Sequence, residues 1–274
     1  MAVPEAALAE ARARLASAER VLVLTGAGMS AESRVPTFRG EGGLWEGHRP
    51  EELATPGAFA RDPVRVWRWY AWRRALVAGC RPNPGHRALA AWLATRPSSA
   101  LLVTQNVDGL HQAAAREASG DRPPAEVVPL HGDLFRVRCL GCGREWEDRS
   151  PQLGESTPPT CAACGGPIRP AVVWFGEALS AATVDRAVAW ARSCDVALVV
   201  GTSALVQPAA SLPLLVGESG APGMKRDHGH PGDSGCIVEV NVERTPLSSR
   251  ADIHLPGQAG FVLPLLLSAD SAGL

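Results

Sequence analysis

Four cysteines in two C-x-x-C pairs give the most specific chemical signal in this sequence. Cys139 and Cys142 form one pair and Cys161 and Cys164 the other, with residues 143–160 between them. This spacing is typical of a tetrahedral zinc site, in which each pair supplies two thiolates. Four unrelated buried thiols are the alternative. Four thiolates leave no open coordination position, so we expect a structural ion, which argues against a zinc hydrolase.

A glycine-rich turn follows the apolar run at 21–24 and has the pattern G-x-G-x-x-A. Glycines at such a turn let the backbone approach a pyrophosphate, and free amides can bind it. A plain tight turn is the alternative. The sequence lacks the second strand ending in an acid that a hydride-transfer enzyme would place about 20 residues further on. The pattern therefore indicates a dinucleotide site that differs from that of dehydrogenases. Its residues are Gly26, Ala27, Gly28, Ser30 and Ala31.

Polar groups also follow the apolar run at 101–103. Gln105, Asn106 and Asp108 lie there, and amides can both donate to and accept from a carboxamide such as nicotinamide. The alternative is a capped turn into a helix, with Asp108 as the cap. His131 lies between Leu130 and Gly132, just before the cysteine-rich segment. Because its pKa lies near neutrality it is a candidate general base, although a structural histidine is the alternative.

Two more apolar runs end in polar turns that suit ribose hydroxyls. The run at 196–200 leads into Gly201, Thr202 and Ser203, and the run at 237–240 leads into Asn241, Val242 and Glu243. Ligands of parallel sheets bind at the carboxyl ends of the strands. We therefore expect all four turns at one edge of one sheet.

The elements that must position these residues alternate along the chain. Helical patterns at 63–77, 86–94 and 182–193 separate the apolar runs, which predicts an α/β fold with a Rossmann-like doubly wound parallel sheet. Residues 136–169 hold the paired cysteines and interrupt this alternation. We predict a Rossmann-like domain at 1–135 and 170–274, with a helical segment at about 47–82, and an inserted zinc-ribbon module at 136–169. Residues 217–235 are rich in Gly, Pro and Asp and predict a mobile surface loop.

Composition excludes several classes of protein. The 274 residues are 46% hydrophobic and 20% charged, which excludes a wholly disordered chain. The net charge of −1 argues against non-specific nucleic-acid binding and against polybasic membrane attachment. No apolar run reaches the roughly 18 residues of a bilayer span, and residues 1–20 predict an amphipathic helix without a secretory signature. We expect a cytoplasmic, monomeric protein without membrane or nucleic-acid partners.

Taken in order, these motifs resemble the sirtuin family of NAD-dependent protein-lysine deacylases. The matching pieces extend from about residue 18 to about residue 266: GAGMSAESRVPTFRG, TQNVDGLH, LHG, the two C-x-x-C pairs, VVWFGE, GTS and NVE. Arg34 departs from the family, which usually has glycine there, and Ala171 stands where a polar residue is common.

The resemblance implies that NAD and an acyl-lysine peptide meet in a cleft between the two domains. NAD would act as an electrophile: the acyl oxygen attacks C1′ of the ribose, nicotinamide leaves, and His131 takes a proton from the ribose hydroxyls. The products would be free lysine and O-acyl-ADP-ribose. Asn106 and Asp108 match positions that hold the carboxamide, and Gln105 lines the same pocket. Phe38 and Arg39 match residues that close over NAD and exclude water.

Further positions follow from the same resemblance. The adenosine side corresponds to Gly201, Thr202, Ser203, Asn241, Val242, Glu243 and Ala259. The strand that pairs with substrate backbone corresponds to Val172, Val173 and Trp174, followed by Phe175.

A Tyr-x-x-Arg pair indicates the acyl preference. Tyr70 and Arg73 are spaced i,i+3 on one predicted helix face, and a phenol with a guanidinium forms a carboxylate site. The pair resembles the sirtuin branch that removes succinyl and malonyl groups, and Ala54 matches a small residue at the wide end of that pocket. An aromatic helix packed on the core with Arg73 in solvent is the alternative. We therefore expect a desuccinylase and demalonylase with weaker deacetylase activity; a mono-ADP-ribosyltransferase, a plain deacetylase and a non-catalytic NAD sensor are the rivals.

Overall fold

The computed structural model describes residues 3–36, 50–217 and 235–268. Predictions for Phe38, Arg39 and almost all of the 217–235 loop fall outside these residues. The strands are β1 (Val21–Thr25), β2 (Ala100–Thr104), β3 (Val127–Pro129), β4 (Gly132–Cys139), β5 (Glu145–Glu147), β6 (Ile168–Val172), β7 (Val196–Val200), β8 (Cys236–Asn241) and β9 (Ile253–Pro256). The helices are α1 (Glu5–Ser17), α2 (Pro50–Leu53), α3 (Pro56–Arg61), α4 (Pro63–Ala78), α5 (Pro84–Ala94), α6 (Leu110–Ser119), α7 (Ala181–Arg192) and α8 (Ala259–Leu267).

A six-stranded parallel sheet in the order β3-β2-β1-β7-β8-β9 forms the main core. Every residue of β1 and β7 is buried, as expected for strands covered on both faces. Val21 and Val23 face α1, α5 and α8, whereas Leu22 and Leu24 face α7 and a 3₁₀ helix at 209–215. This arrangement confirms the predicted doubly wound sheet.

The cysteine-rich segment belongs to a second sheet of three antiparallel strands in the order β5-β4-β6. This sheet extends beyond the predicted 136–169 module at both ends. The strand β4 begins before it, at Gly132, and β6 ends after it, at Val172. The division into two domains stays a prediction. A shared apolar cluster joins this sheet to the segment α2–α4, which lies within the predicted helical region at 47–82.

Side-chain caps explain where the helices near the site begin. Asp62 accepts a hydrogen bond from the Arg65 amide before α4, and Asn83 accepts one from the His86 amide before α5. Each cap is followed by proline at the first helical position, where the missing amide proton costs nothing. These local signals fix the start of the helix that carries Tyr70 and Arg73.

Candidate functional site

A cavity of about 830 Å³ lies at the carboxyl edge of the parallel sheet. Residues that follow β1, β2, β7 and β8 line it, so the four predicted turns meet at one place. The predicted residues in its wall are Gly26, Ala27, Gly28, Ala54, Tyr70, Arg73, Gln105, Asn106, His131, Val172, Val173, Trp174, Phe175, Gly201, Thr202, Ser203, Asn241, Val242 and Glu243.

The glycines of the first turn allow two backbones to touch. A Cβ on Gly28 would lie 2.8 Å from the Cα of Gly201, and the Gly28 amide donates to the Gly201 carbonyl. Gly201 has φ +58°, in the left-handed region that favours glycine. The turns after β1 and β7 are therefore held together at the cavity floor.

A 3₁₀ helix from Ala27 to Ser33 follows the first turn. It ends at Arg34, whose φ of 64° explains why glycine suits this position and makes Arg34 a strained exception. Ser30 is buried and lines a small adjoining cavity of about 20 Å³, together with Asn106 and Asp108. Ala31 is exposed and lines neither cavity.

Asn106 and Asp108 are both buried and hydrogen-bonded to the first turn. The side-chain Nδ2 of Asn106 donates to the Gly26 carbonyl at 2.9 Å, and the Ser30 hydroxyl donates to the Asp108 carboxylate at 2.7 Å. Asp108 also accepts a hydrogen bond from the backbone amide of Leu110, the first residue of α6, but the N-cap of that helix is Gly109 and not Asp108. Burial raises the pKa of Asp108, while these hydrogen bonds act in the opposite direction.

His131 directs one ring nitrogen to the backbone and lines the main cavity. Its Nδ1 lies 3.1 Å from the Gln105 carbonyl, which can only accept, so Nδ1 carries the proton of the neutral ring. The lone pair is then on Nε2. Burial lowers the pKa of His131 below its ordinary value, partly offset by the bond to Gln105. A neutral imidazole with an available lone pair can act as a general base.

The turns after β7 and β8 are joined through Thr202. Its hydroxyl accepts a hydrogen bond from the Gln105 side chain at 2.9 Å, and its carbonyl accepts one from the Asn241 side chain at 2.9 Å. Val242 is half exposed in the cavity wall. Ala259 is the exception among the predicted cofactor residues in this region: it is buried against Gly85 and does not line the cavity.

Tyr70 and Arg73 are 2% and 6% exposed, which excludes the alternative of a solvated arginine. The guanidinium lies 4.8 Å from the centre of the Trp69 ring and 5.8 Å from that of Tyr70. Burial raises the pKa of the Tyr70 phenol and lowers that of Arg73. A neutral phenol and a buried cation therefore share one cavity wall with Ala54.

The predicted substrate strand is shorter than expected, since β6 ends at Val172. Beyond it, the Val173 amide donates to the His131 carbonyl and the Phe175 amide donates to the Ala54 carbonyl. Phe175 is 50% exposed in the cavity wall. The segment thus connects His131 to Ala54 along the cavity wall.

The four paired cysteines converge, with all sulfur atoms within 4.8 Å of one another. The Sγ atoms of Cys139 and Cys164 are 3.5 Å apart, and those of Cys142 and Cys161 are 3.9 Å apart. Four sulfurs bound tetrahedrally to zinc are about 3.8 Å apart, so this donor set fits a structural zinc ion.

Sequence reasoning missed part of the cavity wall. Residues 205–208 and 244–246 line it, as does Glu177, which forms an ion pair with the buried Arg169. Glu177 is the last residue of the VVWFGE motif, so only its place in that motif could have identified it. The other two stretches have no pattern of their own.

The fold and the cavity define a Rossmann-like, NAD-binding protein with a four-cysteine zinc module. The model of the Sir2 family matches residues 26–208. NAD-dependent protein deacylase 2 of Pyrobaculum aerophilum is 48% identical over 253 residues, which is 92% of either chain. NAD-dependent protein deacylase 1 of Pseudomonas aeruginosa is 47% identical over 260 residues, 92% of this chain and 95% of the relative.

Solved structures agree with these relatives. A Sir2 homolog in complex with NAD superposes with a TM-score of 0.80 at 44% identity, covering 94% of this chain and 92% of the other. Sir2Af2 bound to a myristoylated histone peptide has a TM-score of 0.70 at 29% identity, covering 96% of each. The chain therefore belongs to the Sir2 family. Within the described residues no helix has both the length and the apolar character to cross a bilayer.

Proposed function

We propose that this protein is an NAD-dependent protein deacylase that prefers succinyl- and malonyl-lysine to acetyl-lysine. The general activity follows from membership of the Sir2 family, whose close relatives are named NAD-dependent protein deacylases. The acyl preference rests on one observation, the burial of Tyr70 and Arg73 together in the wall of the main cavity.

The chemistry of the pair supports an acidic acyl group. A carboxylate at the end of the acyl chain can accept charge-assisted hydrogen bonds from a guanidinium and a further one from a phenol, whereas an acetyl group ends in a methyl group that accepts none. The small Ala54 side chain leaves room in the same wall for the longer acyl chain. Bringing a carboxylate to a buried cation also offsets the cost of keeping that cation away from water.

The remaining residues have roles in the proposed reaction. Bound NAD supplies an electrophilic ribose carbon with nicotinamide as its leaving group. Gly26 and Gly28 would hold the pyrophosphate, and Asn106 and Asp108 would orient the carboxamide. His131 would accept a proton from a ribose hydroxyl at Nε2, because Nδ1 already donates to the Gln105 carbonyl.

The test is a steady-state comparison of acetyl-, malonyl- and succinyl-lysine on one peptide with NAD. Arg73→Met should reduce kcat/KM for the two acidic acyl groups by about 10- to 150-fold, as expected for a desolvated charge-assisted bond. Acetyl turnover should change far less. Arg68→Met, on an exposed position of the same helix, is the matched control and should behave as wild type.

Two results would contradict the proposal. Equal losses for acetyl and succinyl peptides in Arg73→Met would remove the carboxylate site and leave a plain deacetylase. Label from NAD that stays on protein, and does not appear in O-acyl-ADP-ribose, would indicate a mono-ADP-ribosyltransferase.

A further inference from the structure

We infer that Trp174 directs the hydroxyl proton of Tyr70 toward the acyl group, and so is a positioning residue for acidic acyl-lysine. This inference rests on the proposed preference for succinyl and malonyl groups. It assigns to Trp174 a task different from contact with substrate backbone, which is what its motif implies.

The hydrogen bond between the two side chains has only one possible direction. The indole Nε1 of Trp174 lies 2.9 Å from the Tyr70 hydroxyl oxygen, and both residues are buried. An indole N–H can only donate, so the phenol oxygen is the acceptor. The phenol proton must therefore point to another acceptor.

Among the described residues, the Tyr70 hydroxyl has one hydrogen bond, the one that it accepts from Trp174. Its own proton therefore has no acceptor among these residues. Tyr70 is 2% exposed and lines the main cavity. Burial also keeps the phenol protonated by raising its pKa. A buried donor with no acceptor among the described residues, in a cavity wall, is suited to an acceptor that the ligand brings.

Two side chains contact the Trp174 indole, and Glu177 holds both the Trp174 backbone and one of these side chains. The Arg169 guanidinium lies 3.4 Å from the centre of the Trp174 ring, and Phe59 packs against the ring at a centroid distance of 5.3 Å. The Glu177 carboxylate accepts a hydrogen bond from the Trp174 backbone amide at 2.9 Å. It also accepts one from each terminal nitrogen of the Arg169 guanidinium, at 2.5 and 2.9 Å. The donor that orients Tyr70 is therefore rigidly placed.

This geometry separates two effects on selectivity. Arg73 supplies the charge for a carboxylate, and Trp174 orients the neutral donor beside it. Removal of the indole N–H frees the phenol to rotate, which weakens its bond to a carboxylate. An acetyl group has no carboxylate, so its turnover should not depend on the direction of this proton.

The test is a double-mutant cycle of Trp174→Phe and Tyr70→Phe, measured with succinyl and acetyl peptides. Trp174→Phe should reduce kcat/KM for succinyl-lysine by about 5- to 15-fold and that for acetyl-lysine by less than about 3-fold. Tyr70→Phe should do the same. The double variant should lose no more than the worse single variant, because both changes remove one interaction. Trp72→Phe, at a 51% exposed position of the helix that carries Tyr70, is the control for a tryptophan-to-phenylalanine change.

Additive losses in the double variant, or equal losses for both acyl groups in Trp174→Phe, would overturn the inference. If Trp174→Phe does not fold, Tyr70→Phe still tests the inference, because an unchanged ratio of succinyl to acetyl turnover would overturn it. The two proposals fail separately. Wild type that does not favour acidic acyl groups removes both, whereas a normal Arg73→Met response with an additive cycle removes only the role of Trp174.

Discussion

The two nitrogens of His131 are in different environments, and this determines how the proposed base should respond to pH. Nδ1 is fixed by the Gln105 carbonyl, so only Nε2 can take up a proton. Burial lowers the pKa of the ring below its ordinary value of 6.5. The base should therefore remain unprotonated, and active, at mildly acidic pH.

We predict that kcat/KM for the acyl peptide falls on the acidic side with a midpoint below 6.5, the ordinary pKa of histidine. The physical reason is that protonation removes the Nε2 lone pair. A pH profile of nicotinamide release measures this limb. His131→Ala should abolish peptide-dependent nicotinamide release without altering the thermal transition, and an acidic limb centred above 6.5 would contradict the assignment.

Motifs at strand ends could be predicted from the sequence because topology alone brings them together. Gly26, Asn106 and Gly201 follow three neighbouring parallel strands, so any doubly wound sheet places them at one edge. The bond from Trp174 to Tyr70 joins residues 104 positions apart and depends on the packing of two modules. No local pattern encodes such a contact. The place of Ala259 outside the cavity wall is likewise decided by the packing of α8.

At the scale of elements, α4 is held against the second sheet. Trp67 donates its indole proton to the Ile168 carbonyl at 2.8 Å, and the fully buried Arg74 donates to the Leu134 carbonyl at 2.9 Å. Gly154 packs directly on Trp67: a Cβ there would lie 2.4 Å from the indole ring. The second sheet thus positions α4, the helix that carries Tyr70 and Arg73.

Gly154→Ala should therefore destabilise the protein more than a glycine substitution that only strains the backbone. Gly120 is the matched control, because its φ is also positive and nothing lies within 4 Å of its added Cβ. We expect a loss of about 1 kcal/mol for Gly120→Ala and about 2–4 kcal/mol for Gly154→Ala, measured by urea unfolding. Equal losses would show that the contact with Trp67 relaxes without cost.

The sequence predicted four of the six strands of the main sheet, because buried parallel strands are continuous apolar runs, and it missed the short edge strands β3 and β9. The run at 196–200 coincides with β7, and the helix at 63–77 with all but the last residue of α4. The second sheet gave no such signal. Its strand β5 has only three residues, Glu145–Glu147, and β4 shifts register between Gly132 and Val137, so tertiary packing and metal ligation define it.

At the scale of the whole molecule, two neighbouring histidines, their rings tilted by 57° to each other, are buried near the junction of the main sheet and α5. The ring centres of His86 and His111 are 4.8 Å apart, and each ring has a hydrogen bond: His111 with the Thr25 hydroxyl and His86 with the Asn83 amide. Burial lowers the pKa of His86 to about 3 and that of His111 well below its ordinary value. Both rings are therefore neutral in the folded protein at every pH where the enzyme would act.

These two rings should make the fold sensitive to acid. The unfolded chain binds a proton on each imidazole below about pH 6.5, whereas the folded chain does not, so stability is complete above this pH and is lost as pH falls. Between pH 7 and 5 the His86 ring should cost about 2 kcal/mol of the free energy of unfolding, and His111 should add a loss in the same direction. Urea unfolding at several pH values measures the slope, and His111→Gln should make it shallower. A slope in His111→Gln equal to that of wild type would mean that His111 already binds its proton in the folded state.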